Sequence, residues 1–364
     1  MHITQIRLEG FRNFPSTEFF PHKNLNIIYG DNGAGKSSLL EAIHVLGFGR
    51  SFRTSRPDAF IKDQETVASG FCIFQIDNEE TKLGFSRSKQ DGYKFSVNGE
   101  KTKKIVDIAR MLPVQIFTPQ SSDLILGPPL GRRRYVDWLL FHVEHQFQNA
   151  ISRYNNCLSQ RNALLKQFDY TQSQQFKAQD VWLNLLADLG ESITSMRETY
   201  ISRLNSEISA LYLKFSPELK VVLRYNTGWE KSASLLDSLN GKIERDLFKG
   251  ATSVGPHKAD LQFVVDGKNA AEFMSRGQLR LLVSLLLLAE VRILKELTNK
   301  PSVFLVDDIS AELDESTREK FLSTVLEQDT QVFVTAIELA QLSFMQNYNN
   351  KKVFHVKQNN VIEE

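Results

Sequence analysis

The feature that most constrains the fold of this chain is the octapeptide Gly30–Ser37, GDNGAGKS. A compact apolar segment, Leu25–Tyr29, precedes it and predicts a buried strand. An apolar pattern with helical spacing follows it, from about Lys36 to Leu46. A strand, a glycine-rich loop and a helix in this order predict an α/β domain.

The octapeptide matches the pattern G-x-x-x-x-G-K-[ST], whose glycines let the backbone N–H groups surround phosphates. The N-terminus of the following helix adds a favourable dipole for an anion. We expect Lys36 to reach the β- and γ-phosphates of ATP and the Ser37 hydroxyl to hold Mg²⁺. The predicted nucleotide-binding residues of this loop are Gly30, Asp31, Asn32, Gly33, Ala34, Gly35, Lys36, Ser37 and Ser38.

A second segment places two acids at the end of an apolar strand, Val303–Val306. Ligands of parallel α/β sheets bind at the carboxyl ends of the strands. We therefore expect Asp307 to hold Mg²⁺ and Asp308 to polarise an attacking water. With Lys36, Asp308 is the predicted catalytic residue. The apolar-Asp-Asp pattern is common alone, but together with the glycine-rich loop it strongly indicates a site for a nucleoside triphosphate and Mg²⁺.

A third segment, Ser275–Gln278 (SRGQ), stands before a strongly apolar helical pattern. Serine and glycine at a helix N-terminus form a second anion-binding end. One glycine-rich loop already supplies the phosphate contacts within the chain. We therefore expect this segment to contact the γ-phosphate bound by a second copy. The predicted residues are Ser275, Arg276, Gly277 and Gln278.

The distribution of strand and helix patterns predicts two domains. Residues 66–117 read as antiparallel strands, and two long helical patterns follow, at about 132–168 and 174–215. A short polar linker between them predicts an antiparallel helical arm. Strand patterns return near residue 250. We therefore expect a discontinuous α/β head, 1–118 with 250–364, and an arm domain, 119–249.

Charge excludes a polycationic binder, because 44 Lys and Arg oppose 43 Asp and Glu for a net charge of +1. A local basic stretch remains, Lys82–Lys104, and it is either a solvated sheet face or a surface that contacts nucleic-acid phosphates. The run Arg132–Arg134 either binds phosphates or pairs with acids.

Two cysteines exclude a disulfide scaffold and a four-cysteine zinc site, and they fit a reduced, cytoplasmic setting. The most apolar window, Leu281–Val291, is about half a membrane span and predicts a buried helix.

The order of these segments resembles the heads of SMC-like ABC-type ATPases, in which a signature segment precedes the acidic strand and a helical arm interrupts the head. The sequence is similar in particular to the RecF family. The blocks that carry the resemblance are Leu8–Phe14, Gly30–Ser38, Gly49–Arg56, Pro119–Asp137, Gly255–Leu261 and Asp307–Asp314. The resemblance implies an ABC-type P-loop head with an antiparallel β subdomain and a short helical arm.

The resemblance also implies a function. Members bind DNA in an ATP-dependent way during recombinational repair and replication-fork maintenance, as a homodimer that clamps duplex DNA beside single-strand gaps. RecO and RecR would be partners that promote RecA loading and SOS induction. Within the blocks, Arg12 and Asn13 contact nucleotide or form a structural turn. Gln115 or Gln120 is the glutamine that senses Mg²⁺, and Asp314 crosses the dimer interface.

The resemblance implies an ATPase that DNA stimulates, and two departures from related ATPases predict that its hydrolysis is slow, with ATP acting as a switch. Asp308 stands where most ABC ATPases have glutamate, and Thr335 stands where many transporters have a histidine. Three other functions remain open: a transporter ATPase subunit, an SMC-type structural head and a non-enzymatic DNA-binding module. The helical insertion and the basic stretch argue against a transporter subunit. The short arm argues against an SMC-type structural head, and the paired ATPase segments argue against a non-enzymatic module.

Overall fold

The computed structural model describes residues 1–76, 79–102, 105–346 and 348–364. The chain divides into two compact units, the first comprising Met1–Ser121 and Arg280–Glu364, and the second Ser122–Leu279. The chain passes from the first unit to the second after Ser121, whereas the sequence predicted a boundary after residue 118. The chain returns to the first unit later than residue 250, because residues 260–265 form a sheet with residues 221–226 of the second unit.

The amino-terminal part of the first unit alternates strands with two helices. Its elements are β1 (His2–Phe11), β2 (Phe14–Phe19), β3 (Leu25–Tyr29), α1 (Lys36–Phe48), β4 (Val67–Ile76), β5 (Glu79–Ser88), β6 (Gly92–Val97), β7 (Glu100–Thr102), α2 (Ile105–Met111) and β8 (Val114–Phe117).

The second unit is mostly helical and ends within the long helix that leads back to the first. Its elements are α3 (Asp123–Leu126), α4 (Pro129–Val143), α5 (Phe147–Leu165), α6 (Ser173–Gln179), α7 (Leu183–Phe215), β9 (Val221–Asn226), α8 (Leu235–Gly241), α9 (Ile243–Lys249), β10 (Asp260–Val265), β11 (Lys268–Asn269), α10 (Ala270–Phe273) and the start of α11 (Arg276–Thr298).

The carboxyl-terminal part of the first unit completes its sheets. Its elements are the remainder of α11, β12 (Val303–Val306), α12 (Ile309–Glu312), α13 (Glu315–Leu326), β13 (Gln331–Ala336), β14 (Lys351–Lys357) and β15 (Asn360–Glu363).

Two sheets sandwich the helix that follows the glycine-rich loop. One sheet is antiparallel with the order β2-β1-β4-β5-β6-β7, and the other has the order β15-β14-β3-β13-β12-β8 with parallel pairing from β14 to β8. Side chains from α1 and from both sheets form one apolar core. The sequence predicted α1 as an amphipathic helix, but every residue from Ser38 to Gly47 is buried.

The parallel sheet determines where the functional segments meet. Strands β3 and β12 do not touch, because β13 lies between them. All three run in the same direction, so the loops after Tyr29, Val306 and Ala336 leave from one edge. This topology brings Ser37 and Asp307, which are 270 residues apart in sequence, to neighbouring positions.

The arm helices are shorter than the sequence predicted. The expected helix at 132–168 is two helices, α4 and α5, because Glu144 has an extended backbone (φ −109°, ψ 107°). The expected helix at 174–215 is α6 and α7, interrupted at Asp180 (φ −77°, ψ 71°). The carboxylate of Asp180 is turned inward to Arg161, which explains the second interruption. Helices α5 and α7 pack against each other.

Among the residues in the four described ranges, no helix is both long enough and apolar enough to span a bilayer. The apolar window Leu281–Val291 is the buried interior of α11.

A buried ionic network holds the second unit together. Arg161 is fully buried, and it donates to Asp180 (2.9 Å), Asp246 (2.9 Å) and the Thr252 hydroxyl (2.7 Å). Its guanidinium also lies over the Phe176 ring, 5.5 Å from the centroid. These contacts join α5, α6 and α9 around one positive charge.

We predict that Arg161→Ala destabilises the protein by about 3–5 kcal/mol, because it leaves two buried carboxylates without their cation. Urea unfolding of the wild type and the variant measures the difference. Lys177→Ala, an exposed change on α6, serves as the control and should cost at most about 0.5 kcal/mol. A loss of less than about 1 kcal/mol for Arg161→Ala would show that the network contributes little.

Candidate functional site

The backbone of the loop Gly30–Ser37 requires glycine at two positions. Gly30 has φ +149°, and a Cβ there would collide with the carbonyl oxygen of Val356. Gly35 has φ +114°, and a Cβ there would lie 2.7 Å from the ring of Phe14. Both side-chain-free positions let the loop turn tightly onto the start of α1.

Lys36 folds over the loop that precedes it. Its Nζ donates to the carbonyl oxygens of Gly30 (2.6 Å) and Asp31 (3.0 Å). Burial lowers the pKa of Lys36, and the negative charges of Asp308, Asp307 and Asp31 act in the opposite direction. The lysine is therefore a cation held at the mouth of the loop, beside three carboxylates.

Ser37 and Asp307 meet across the site. The Ser37 hydroxyl donates to Oδ1 of Asp307 at 2.9 Å, and the Thr335 hydroxyl donates to the same oxygen at 2.9 Å. Asp307 is only 8% exposed. Burial raises the pKa of Asp307, while the hydrogen bonds from Ser37 and Thr335 lower it. A buried carboxylate beside a hydroxyl offers the hard oxygen ligands that Mg²⁺ prefers.

Asp308 has an unusual backbone. Its φ of 51° and ψ of 56° are left-handed, and it forms the N-cap of α12. Its N–H donates to the Thr335 hydroxyl at 2.8 Å, and its carboxylate accepts from the Ser310 hydroxyl at 3.1 Å. Few residues with a side chain adopt this conformation, although aspartate does so more than most. Those that do are often found at functional sites.

These groups line an open cleft of about 370 Å³, a size within the range of ligand sites. Its walls are formed by Arg12, Asn13, Asn32, Gly33, Gly35, Lys36, Ser37, Ser38, Arg53, Asp307, Asp308, Thr335 and Ile337.

A buried carboxylate under the cleft forms ion pairs with two arginines. Glu41 of α1 is fully buried and accepts from Arg12 Nη2 (2.6 Å) and Arg12 Nε (2.8 Å). Arg53 Nη1 lies 3.4 Å from Glu41 and 3.5 Å from the Ser38 hydroxyl. The guanidinium of Arg12 lines the cleft, but its nitrogens are already bound to Glu41 and to the Ala59 carbonyl. Arg53 is the freer of the two, with 42% of its side chain exposed.

Comparison with known proteins identifies the family. The family described as RecF/RecN/SMC N terminal domain matches residues 2–362. The DNA replication and repair protein RecF of Pseudoalteromonas atlantica is 45% identical, with 100% of each chain covered. This chain belongs to the RecF family. A RecF protein of Shewanella woodyi is 36% identical, with 98% of this chain and 97% of that chain covered.

Solved structures confirm the expected fold class, an α/β ABC-type ATPase head. A structure of the recombination mediator protein RecF with ATP in the RecFOR pathway is 28% identical, has a TM-score of 0.88, and covers 100% of this chain and 99% of its own. The Smc head domain of Pyrococcus furiosus is 17% identical with a TM-score of 0.59 over 100% and 96% of the two chains. The second likeness shows that RecF and SMC heads share a fold.

The segment Ser275–Gln278 lies in the second unit, at the beginning of α11. All four residues are exposed. The Ser275 N–H donates to the Gln278 side chain (2.9 Å), and the Gln278 N–H donates to the Ser275 hydroxyl (3.3 Å). This reciprocal pair orders the helix start. Its contact with a second copy stays a prediction.

The two candidate glutamines have different environments. Gln115 is buried within β8 and donates to Oε2 of Glu290 at 2.6 Å. Gln120 is exposed in the 3-10 turn Pro119–Ser122, just beyond the end of β8. Only Gln120 is therefore available to a ligand at the carboxyl edge of the sheet.

Several of the candidate DNA-contacting cations have partners within the chain. Arg132 pairs with Asp260 (2.6 Å), and Arg133 donates to the carbonyl of Ala259 (2.7 Å). Arg134 is exposed.

The basic stretch Lys82–Lys104 is mixed in the same way. Arg87 pairs with Asp58 (2.8 Å) and Lys94 with Asp91 (2.6 Å). Lys103 and Lys104 lie outside the described residues, and Lys82, Lys89 and Lys101 are exposed.

The sequence patterns give no site role to Glu41 or Arg53, and Thr335 stands out in them only as a departure from transporters. Arg53 has a sequence signal, because it lies within the block Gly49–Arg56. Glu41 has none, because a single acid in an apolar helix pattern looks solvent-exposed until the second sheet covers that face.

The helix that follows the loop carries a buried histidine that makes stability pH-dependent. Nδ1 of His44 lies 2.8 Å from the Arg50 carbonyl, and its ring stacks on Phe48. Burial lowers the pKa of His44 to about 4. Because the unfolded chain binds this proton near pH 6.5 and the folded chain does not, His44 destabilises the fold as the pH falls from 6.5 to 4.

We predict that His44→Phe reduces the loss of stability on acidification by about 1.4 kcal/mol per pH unit in this window. Urea unfolding of both proteins at pH 7.5, 6.0 and 5.0 measures the slopes. The two should run in parallel above pH 7. Identical slopes below pH 6 would mean that His44 is protonated in the folded protein.

Proposed function

We propose that this chain is an ATP-dependent DNA-binding protein of recombinational repair, in which ATP closes a homodimer on DNA. The observation that carries the proposal is the contact of 2.9 Å between Ser37 Oγ and Asp307 Oδ1, which joins the phosphate loop to the acidic strand. The names of the relatives, DNA replication and repair protein, support the biological role. The related structure with ATP supports the ligand.

In the proposed site, the N–H groups of the loop Gly30–Ser38 and the start of α1 surround the phosphates. Lys36 exchanges its loop carbonyls for the β- and γ-phosphates. Ser37 and Asp307 would hold Mg²⁺, and the ion would supply neutralisation of phosphate charge. Asp308 orients and polarises the attacking water. Arg12 acts from beneath, by fixing Glu41 and thereby α1.

We infer that hydrolysis is slow and serves as a switch. The Asp308 carboxylate is one methylene shorter than the glutamate it replaces, so it reaches less far toward a water. Gln120 is the glutamine proposed to sense Mg²⁺, since Gln115 is engaged by Glu290.

Dimer closure is assigned to the exposed segment Ser275–Gln278, which would contact the nucleotide bound by the other copy. Asp314, predicted to cross the interface, caps α13 by accepting from the Thr317 N–H at 3.0 Å. Closure would form a basic groove that holds the DNA backbone, without strong sequence preference. RecO and RecR are the proposed partners for RecA loading, consistent with the RecFOR pathway of the related structure.

We predict that Lys36→Ala weakens Mg²⁺–ATP binding by at least about 10-fold, because it removes the cation that neutralises the terminal phosphates. Titration with a fluorescent ATP analogue measures the Kd. Lys300→Ala, which changes an exposed lysine beyond α11, is the matched control and should bind like the wild type. Equal affinity of the two variants would remove Lys36 from the site.

We predict that the wild type dimerises in the presence of duplex DNA and Mg²⁺–ATP, and that Ser275→Arg stays monomeric while still binding ATP. A bulky charge at the start of α11 blocks approach of a second copy's nucleotide. Sedimentation velocity with and without ATP measures both states, and Ser232→Arg, an exposed serine of the same unit, is the control. Dimers of Ser275→Arg, or a wild type that binds DNA equally without ATP, would contradict the clamp.

A further inference from the structure

The hydroxyl of Thr335 connects the two acids of the site. Thr335 is fully buried near the end of β13, the strand between β3 and β12. Its Oγ1 donates to Oδ1 of Asp307 (2.9 Å) and accepts from the N–H of Asp308 (2.8 Å). One hydroxyl group thus binds the side chain of one acid and the backbone of the next.

The backbone of Asp308 needs such support. A left-handed conformation is less favourable than the right-handed one for a residue with a Cβ, although aspartate adopts it more readily than most. Two contacts hold it here. The Asp308 N–H donates to Thr335, and the Asp308 carbonyl accepts from the Ala311 N–H (3.1 Å) at the first turn of α12.

We propose that Thr335 is a positioning residue for ATP hydrolysis. Its hydroxyl binds the carboxylate of Asp307 and the backbone of Asp308, and it thereby fixes the two carboxylates relative to each other. This inference rests on the proposed ATPase function and adds a residue to it. Thr335 acts through the two acids, because its side chain is fully buried and its hydroxyl hydrogen-bonds both of them.

Threonine suits this position because its side chain carries both a hydroxyl group and a methyl group. The β-branched side chain suits a buried strand and restricts χ1, so the hydroxyl has little rotational freedom. Valine has the same shape without the hydroxyl. Serine keeps the hydroxyl without the methyl group. This pair of substitutions separates hydrogen bonding from packing.

The test compares Thr335→Val and Thr335→Ser with the wild type. We expect Thr335→Val to lower kcat by about 10-fold or more, since small displacements of catalytic groups have effects of this size. Its Kd for Mg²⁺–ATP should change by less than about 3-fold. Thr335→Ser should restore kcat to within about 3-fold of the wild type. Thr324→Val, which removes another buried threonine hydroxyl of the first unit, bonded to the Lys320 carbonyl, is the control and should keep its kcat.

Amide hydrogen exchange of the peptide that contains Asp308, without nucleotide, gives a readout that does not depend on turnover. Exchange should accelerate in Thr335→Val and remain protected in Thr335→Ser. Unchanged exchange in Thr335→Val, or failure of Thr335→Ser to restore kcat, would overturn the inference. A wild type without any ATP turnover would contradict the proposed function instead, and the exchange result would still decide whether Thr335 holds the Asp308 backbone.

Discussion

The structure of the candidate site depends on one carboxylate oxygen, Oδ1 of Asp307. It accepts hydrogen bonds from hydroxyl groups on both sides, Ser37 from the glycine-rich loop and Thr335 from the neighbouring strand. Asp307 follows β12, Thr335 lies near the end of β13, and Ser37 lies at the start of α1, which the loop after β3 leads into. The parallel arrangement of these strands brings the three groups to the same edge of the sheet. The strand order is therefore what makes a single site out of three distant segments.

A second constraint acts beneath the loop, where the carboxylate of Glu41 is fully buried. A carboxylate in such a place is costly unless it is paired. Here Arg12 supplies two hydrogen bonds, and the Ser51 hydroxyl supplies another. Because Arg12 follows β1 and Ser51 follows α1, this cluster ties the antiparallel sheet to the helix that carries Lys36 and Ser37. The electrostatics of the core thus position the loop.

Sequence patterns predicted the strands in the N-terminal and C-terminal parts of the chain, the glycine-rich loop and the acidic strand, because each has a local signature. They did not predict that α1 is buried on every side, since this depends on a second sheet formed by residues 2–102. They also predicted continuous arm helices, although Glu144 and Asp180 leave the helical conformation. At Asp180 the cause is a long-range ion pair with Arg161, which no periodicity reveals. The role of Thr335 was hidden for the same reason, because a threonine at a strand end acquires its meaning only from the strands beside it.

The burial of Asp307 also explains why such a site would respond strongly to its ligand. Burial raises the pKa of this carboxylate, so its negative charge is unfavourable in the site by itself, and two hydroxyl donors offset only part of that cost. Lys36 stands in the opposite situation, because burial lowers its pKa and carbonyl oxygens share its protons. A cation beside Asp307 and phosphates beside Lys36 would relieve both unfavourable charges together. The loop and the acidic strand would then gain stability from the same binding event, which is the property that a nucleotide-controlled switch requires.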